Sequence, residues 1–419
     1  MSGMVKRTLC LMLALICVGG STAMSEQAYY SGSAEESWYA DMLAQGQMSL
    51  GNNLRLKRVI ERAQAGEEIT VALIGGSITE GAGAAKYEEC YAYRFAQGFA
   101  QRYGVNGGAN VRFINAGVGG TPSTFGLMRY ERDVVRRVQD ANSLPDLVVV
   151  EFAVNDYGEP TQHHCYESLV KKILSQPNDP AVILLFSVFQ GGFNLQDQLK
   201  IVGKRYDLMM VSIKDAAYPH VGQEWTQEQF FFDQYHPTSL GHGVMADCLL
   251  AAVASAARME PCAQDIDMTV SPAYGTDFTG LKTIFADGDN SGIQLDRGGF
   301  AHDDLRSYAN RPVGRVCGPN FCHYETDAAQ PLRFTAVFRN LLIAWRAWNS
   351  VNESNYGPAV ILVDGQVVCT LTGAPDKWGQ SEVVLAFNAR ESLEHTVEIR
   401  MAEGAENKRF TVTCIGYTP

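Results

Sequence analysis

Three short segments carry side chains that together could perform nucleophilic acyl transfer. In "VALIGGSITEG" an apolar run ends at Gly75-Gly76 and delivers Ser77. In "FFDQYHPTSLGH" Asp233 stands three residues before His236, and Pro237 stiffens the loop behind it. That spacing lets Asp233 accept from His236 Nδ1 and leaves Nε2 for the Ser77 hydroxyl, as a serine nucleophile requires. In "VVVEFAVND" Asn155 ends an apolar strand with a side-chain amide donor. A fourth segment, "NAGVGGTPS", is glycine-rich, so the backbone N–H of Gly120 can face a site. The Gly120 N–H and the Asn155 amide would then hold an oxyanion. Singly, each segment reads equally well as a tight turn, a cap or a surface pair. Four of them in order, each at a strand end or in the loop behind it, point to one site.

Other chemistries fit less well. Gly76 and Gly81 have phosphate-loop spacing, but Ala82 replaces the lysine. Gly117 and Gly119 begin a dinucleotide fingerprint that Pro122 breaks. Thr79 stands where the last glycine of a G-x-S-x-G elbow would be, which argues against an α/β-hydrolase fold. His163-His164 lack an acid at a fixed short spacing, and His242 reads as packing or capping. Asp287-x-Asp289-x-Ser291-Gly292 opens like a calcium loop, but Gly298 takes the place of the bidentate glutamate. Cys317, Cys322 and His323 have no fourth zinc ligand at a familiar spacing. No metal or organic cofactor is expected. Trp345, Trp348 and Trp378 could stack on sugars but read better as core.

The elements that must position these residues alternate. Strands are expected at 69–74, 111–116, 147–153, 181–188 and 208–213, and helices at 54–65, 87–103, 166–175 and 239–258. Apolar strands separated by helices imply a parallel sheet covered on both faces. Residues 24–50 read as a surface wrap. Beyond Pro261 the pattern changes to short alternating segments. "AVILVDGQVVCTL" is a hairpin with Asp364-Gly365 at its tip, and "SEVVLAF", "HTVEIRM" and "RFTVTCI" keep the two-residue period. Residues 270–419 are therefore expected to form an all-β sandwich or jelly roll.

Lys6-Arg7, the apolar run Leu9–Gly20 and Ser21-Thr22-Ala23 have the three regions of a secretory signal peptide over residues 1–23. Export to the extracellular space or periplasm follows, with no later stretch long enough to span a membrane. Net charge is −12, and two units lower without Lys6 and Arg7, so nucleic acid is not an expected partner. Eight cysteines remain beyond the leader; Cys317/Cys322 and Cys369/Cys414 are the expected disulfides.

Over residues 69–245 the chain resembles the SGNH (GDSL-type) hydrolases. Block one reads Gly75-Gly76-Ser77-Ile78-Thr79, with Gly76 where the family usually has Asp. Gly120 matches block two. Block three reads Ala153-Val154-Asn155-Asp156, its glycine replaced, and Asp233, His236 and Pro237 match the last block unchanged. The resemblance implies a flavodoxin-like three-layer α/β/α domain, expected over 24–262, and a Ser77–His236–Asp233 triad acting through an acyl-enzyme. A secreted member joined to a β domain resembles carbohydrate esterases that remove acetyl groups from polysaccharides or oligosaccharides. An esterase or lysophospholipase for longer acyl chains, or a glycan-binding protein without turnover, are the alternatives. The oligomeric state is left open.

Overall fold

The computed structural model describes residues 37–138, 144–288, 290, 292–305, 318–347, 355–372 and 381–419. The leader, Asp289, Ser291, Cys317, Trp348 and Trp378 lie outside these residues.

Five strands, β1 (Ile69–Gly75), β2 (Val111–Gly117), β3 (Leu147–Glu151), β4 (Ala181–Phe186) and β5 (Met209–Ser212), form a parallel sheet in the order β2-β1-β3-β4-β5. Their Val-, Ile- and Leu-rich sequences suit a sheet with both faces buried. Side chains alternate accordingly: Val71 and Leu73 enter one core, Ala72 and Ile74 the other. Register sets Gly75 level with Gly117 on one side and Glu151 on the other. The chain leaves β1 toward one edge and β3 toward the other. The crevice beyond their carboxyl ends is where such sheets bind ligands.

The helices are α1 (Ser37–Gln45), α2 (Leu54–Gln64), α3 (Ser77–Glu80), α4 (Tyr91–Tyr103), α5 (Ser123–Asp133), α6 (His164–Leu174), α7 (Gln196–Arg205), α8 (Ile213–Ala216), α9 (Gln227–Phe230) and α10 (Ser239–Arg258). Part of the expected surface wrap is helical: α1 buries Tyr39, Met42 and Leu43. Every residue of the unexpected α5 except Glu131 is buried, including Arg129, Arg132 and Asp133. A helix covered on every side has no polar stripe, so its period does not show. By length and apolar composition α10 could cross a membrane, contrary to the expectation that no later segment would; here it is a core helix, mostly buried.

A strap joins the two halves. Arg55 pairs with Asp265 at 2.8 Å, and buried Glu167 accepts the backbone N–H groups of Ala273, Tyr274 and Gly275. The antiparallel β domain follows: β6 (Lys282–Ile284), β7 (Leu295–Asp296), β8 (Phe321–His323), β9 (Leu332–Trp345), β10 (Ala359–Val363), β11 (Gln366–Leu371), β12 (Glu382–Met401) and β13 (Phe410–Thr418). Its main strand order is β11-β10-β12-β9-β13-β6. The β10–β11 hairpin turns at Asp364-Gly365, both with positive φ (51° and 78°), as a two-residue hairpin loop demands. "SEVVLAF" and "HTVEIRM" belong to one strand, β12, bulged against β9 at Leu385/Phe387 and Asn388/Leu393. Residues from both sides of the bulges, such as Phe338, Leu341, Val397 and Ile399, share one core.

Cys369 is a free thiol on β11, four ladder steps from β13 and Cys414, so the expected Cys369/Cys414 disulfide does not form. Cys317, the expected partner of Cys322, is outside the described residues. The domains are not separately cored. Phe285, Leu342, Val383 and Cys414 of the β domain pack in one cluster with Phe125, Met128 and Tyr166. The Arg132 guanidinium lies 4.3 Å over the Phe285 ring.

Candidate active site

β1 ends at Gly75 and the chain turns at once into α3, so Ser77 opens a helix above the sheet edge. Space there is minimal. A Cβ on Gly75 would stand 2.1 Å from Thr79 Oγ1, and one on Gly76 would stand 2.1 Å from Asn155 Oδ1. In this chain a side chain at 76, where the family usually has Asp, would push the Asn155 amide from its place beside the serine turn. Beneath the turn lies buried Glu151 at the end of β3. It accepts from Thr79 Oγ1 at 3.0 Å, from Ser187 Oγ and from the Gly76 N–H. Burial raises its pKa, and these hydrogen bonds oppose the rise without cancelling it.

The loop before α10 brings the second component. Ser77 Oγ is 3.0 Å from His236 Nε2, and His236 Nδ1 is 2.9 and 3.0 Å from the two Asp233 oxygens. With Nδ1–H donating to the carboxylate, Nε2 accepts from the serine. Asp233 Oδ1 also accepts the N–H groups of Tyr235 and His236 at 2.7 and 2.8 Å. Partial burial pushes the Asp233 pKa up, but the hydrogen bonds from His236 and Tyr235 outweigh it and hold the carboxyl below its usual range. The imidazole is largely covered, its side chain 17% exposed. Gly83, at φ +91°, lets the two loops close: a Cβ there would lie 2.1 Å from Pro237 O.

His242 secures the same loop. Its Nδ1 accepts the Tyr91 N–H at 3.2 Å, so Nε2 carries the proton and donates to Ala82 O at 3.0 Å. Complete burial pushes its pKa down to about 4, which keeps the ring neutral. Sequence reading assigned it to packing or capping, and it does both.

The second expected donor loop follows β2. The Gly119 N–H donates to Glu80 Oε2 at 2.7 Å, whereas that of Gly120 (φ +68°) has no acceptor among the described residues. Asp156, next to Asn155, is fully buried and accepts the Ser123 N–H at 2.7 Å, which ties the Asn155 loop to the start of α5. Burial raises its pKa to about 8. Ser77, Gly120, Asn155 and His236 all line one open cleft of about 700 Å³.

Sequence reading missed the cleft's walls. Tyr157, Phe189, Phe193 and Tyr235 form a linked aromatic shelf with ring centroids 5.1–6.0 Å apart, and Tyr157 is 79% exposed. The signal was aromatic residues just past β3 and β4, the positions next to a switch-point crevice. The β domain supplies Glu382 and Val383 opposite. His163 and His164, expected to lack acids, have them: Glu159 lies 4.0 Å from His163, and Asp277 lies 2.9 Å from His164. Asp277 is distant in sequence, so no spacing could reveal it. Neither histidine lines the cleft around Ser77. Trp345 is half-buried against the β-domain core and donates to Thr372 O.

Residues 73–244 match the family model of the GDSL-like lipase/acylhydrolases. Among curated proteins, none matches the sequence significantly. Two solved structures of a two-domain esterase (CEX) active on acetylated mannans, one co-crystallised with mannopentaose, resemble the fold. They are 26% identical, with TM-scores of 0.74 and 0.75, and the match covers 90% of this chain and 98% and 99% of theirs. The likeness extends over the β domain as well as the sheet that carries Ser77. Residues 73–244 of this chain are thus similar to the SGNH (GDSL-type) hydrolases, and the chain is an ester hydrolase.

Proposed function

We propose that the chain is an exported serine esterase that removes acetyl groups from a polysaccharide or oligosaccharide, an acetylated mannan foremost. The observation that carries the reading is the hydrogen-bonded series Ser77–His236–Asp233 at the mouth of a cleft with an exposed aromatic shelf. Sugar rings present apolar faces that stack on such aromatics, while an acetyl group needs only a small acyl pocket. The two-domain esterase of the same architecture, active on acetylated mannans, supports this choice of substrate.

In the proposed reaction His236 takes the proton as Ser77 Oγ attacks the ester carbonyl. Asp233 holds the imidazole and stabilises its charged form. The N–H groups of Ser77 and Gly120 and the Asn155 amide stabilise the oxyanion. His236 then protonates the departing sugar hydroxyl, and water, activated by the same imidazole, releases acetate from the acyl-serine. The signal peptide expected at the N-terminus supports an extracellular or periplasmic site of action.

The test is acetate release from 4-nitrophenyl acetate, acetylated mannan and acetylated xylan by the intact protein and by Ser77→Ala. Loss of all release in a folded variant is expected. A chain-length series of 4-nitrophenyl esters separates this reading from a long-chain esterase: rates that rise with acyl length would overturn it.

A further inference from the structure

A second, more polar pocket of about 310 Å³ lies at the junction of the domains. Its walls come from the turn before α6 (Gln162), the first residue of α6 (His164), the strap (Asp277, Phe278) and two strands of the β domain (Arg339 on β9, Asn388 on β12). Pro160 borders both this pocket and the cleft around Ser77. So does β12: Val383 faces the cleft and Asn388 faces the pocket. They are five residues apart along the bulged β12, a span of at most roughly 16 Å.

Two irregularities of the backbone meet at this pocket. Gln162 and His163 both have positive φ (52° and 69°), a conformation that non-glycine residues adopt at some cost. The turn they make carries Gln162 to the rim and starts α6 with His164 facing Asp277. Across the pocket, the β12 ladder slips after Asn388, and such a bulge re-aims the side chain at the break. Both irregularities bring an exposed amide to the same space, and neither the Gln162 nor the Asn388 amide has a hydrogen-bond partner among the described residues. Charge there is balanced. Asp277 receives the Arg339 guanidinium at 3.3 Å and His164 at 2.9 Å, so an anionic ligand would compete with a carboxylate already in place. Amides, a paired guanidinium and a Phe278 wall suit the hydroxyls and apolar face of an uncharged sugar.

We propose that this pocket is a distal subsite that binds a neutral, unacetylated sugar ring of the substrate's main chain, several units from the ester held at Ser77. The inference rests on the carbohydrate-ester reading above. It assigns His164, Gln162, Arg339 and Asn388 to chain recognition, and makes the two domains joint owners of the substrate.

The experiment uses the full chain and the double variant Gln162→Gly/Asn388→Ala. Glycine relieves the positive φ at 162, and 388 is exposed, so the fold is kept. Calorimetry with unacetylated mannopentaose is expected to show binding about tenfold weaker in the variant, the loss of one or two hydrogen bonds. Its kcat/KM on acetylated mannopentaose should fall by the same factor, with 4-nitrophenyl acetate and acetylated mannose unaffected. Equal behaviour of variant and wild type on the pentasaccharide would overturn the subsite and leave the esterase reading standing. So would a wild type that prefers the pentasaccharide no more than the monosaccharide. A wild type that cleaves 4-nitrophenyl acetate but neither binds mannopentaose nor deacetylates any saccharide would sink both.

Discussion

Gly76 and Asn155 are so closely apposed that no side chain fits between them: a Cβ on residue 76 would lie 2.1 Å from Asn155 Oδ1. The glycine and the amide therefore act as one unit. Asn155→Ala is expected to lower kcat about 10²–10³-fold with little change in KM, the mark of a donor used in the transition state. Gly76→Ala, which displaces that amide, should lose a comparable factor, and the double variant little more. Steady-state kinetics on 4-nitrophenyl acetate decide it; additive losses would separate the two residues.

The Ser77–His236–Asp233 series predicts a graded pattern. Ser77→Ala and His236→Ala should each lower kcat about 10⁴–10⁶-fold, and Asp233→Asn somewhat less, because residues of such a unit do not contribute additively. Thermal unfolding of all three should stay close to wild type, since the series lies at the cleft rather than in a core.

Two buried groups give stability opposite slopes with pH. His242 has its pKa lowered to about 4, below the ordinary imidazole value. Between those two values the unfolded chain binds more protons than the folded one, so stability falls as pH drops through that window. Asp156 has its pKa raised to about 8. From the ordinary carboxyl value up to about 8 the folded chain holds the extra proton, so this group makes stability fall as pH rises. Asp156→Asn keeps an oxygen for the Ser123 N–H and should flatten the loss toward pH 8. His242→Gln should flatten the loss toward pH 4. Denaturant unfolding at a series of pH values reads both, and an unchanged slope in either variant refutes its assignment.

The aromatic shelf predicts a split between substrates. Tyr157→Ala should raise KM about tenfold on acetylated mannan and leave 4-nitrophenyl acetate unaffected, because only the glycan reaches an exposed ring at that position. Equal losses on both substrates would assign Tyr157 to the acyl pocket instead.

The sheet was legible because its strands are short apolar runs and each is followed by a turn signal. The bounds of β1, β2 and α10 follow the sequence pattern within a residue or so. Ser77, Asn155, Asp233 and His236 were legible because each lies at a strand end or in a short loop whose spacing fixes its neighbours. What did not show were features that depend on packing between distant segments. α5 has no polar stripe because the β domain covers it. The pairing of His164 with Asp277 spans the two halves of the chain. The separation of Cys369 from Cys414 follows from strand order, which an even cysteine count does not encode.

The common core of Phe125, Tyr166, Phe285 and Val383 has a practical consequence. The β domain is no detachable module to be trimmed away or grafted onto another hydrolase. A truncation after α10 would strip the outer face of α5 and α6 bare, leaving greasy surface that favours aggregation. It would also remove the far wall of the cleft. Engineering of this hydrolase toward another substrate must therefore redesign both halves together, as one folding unit.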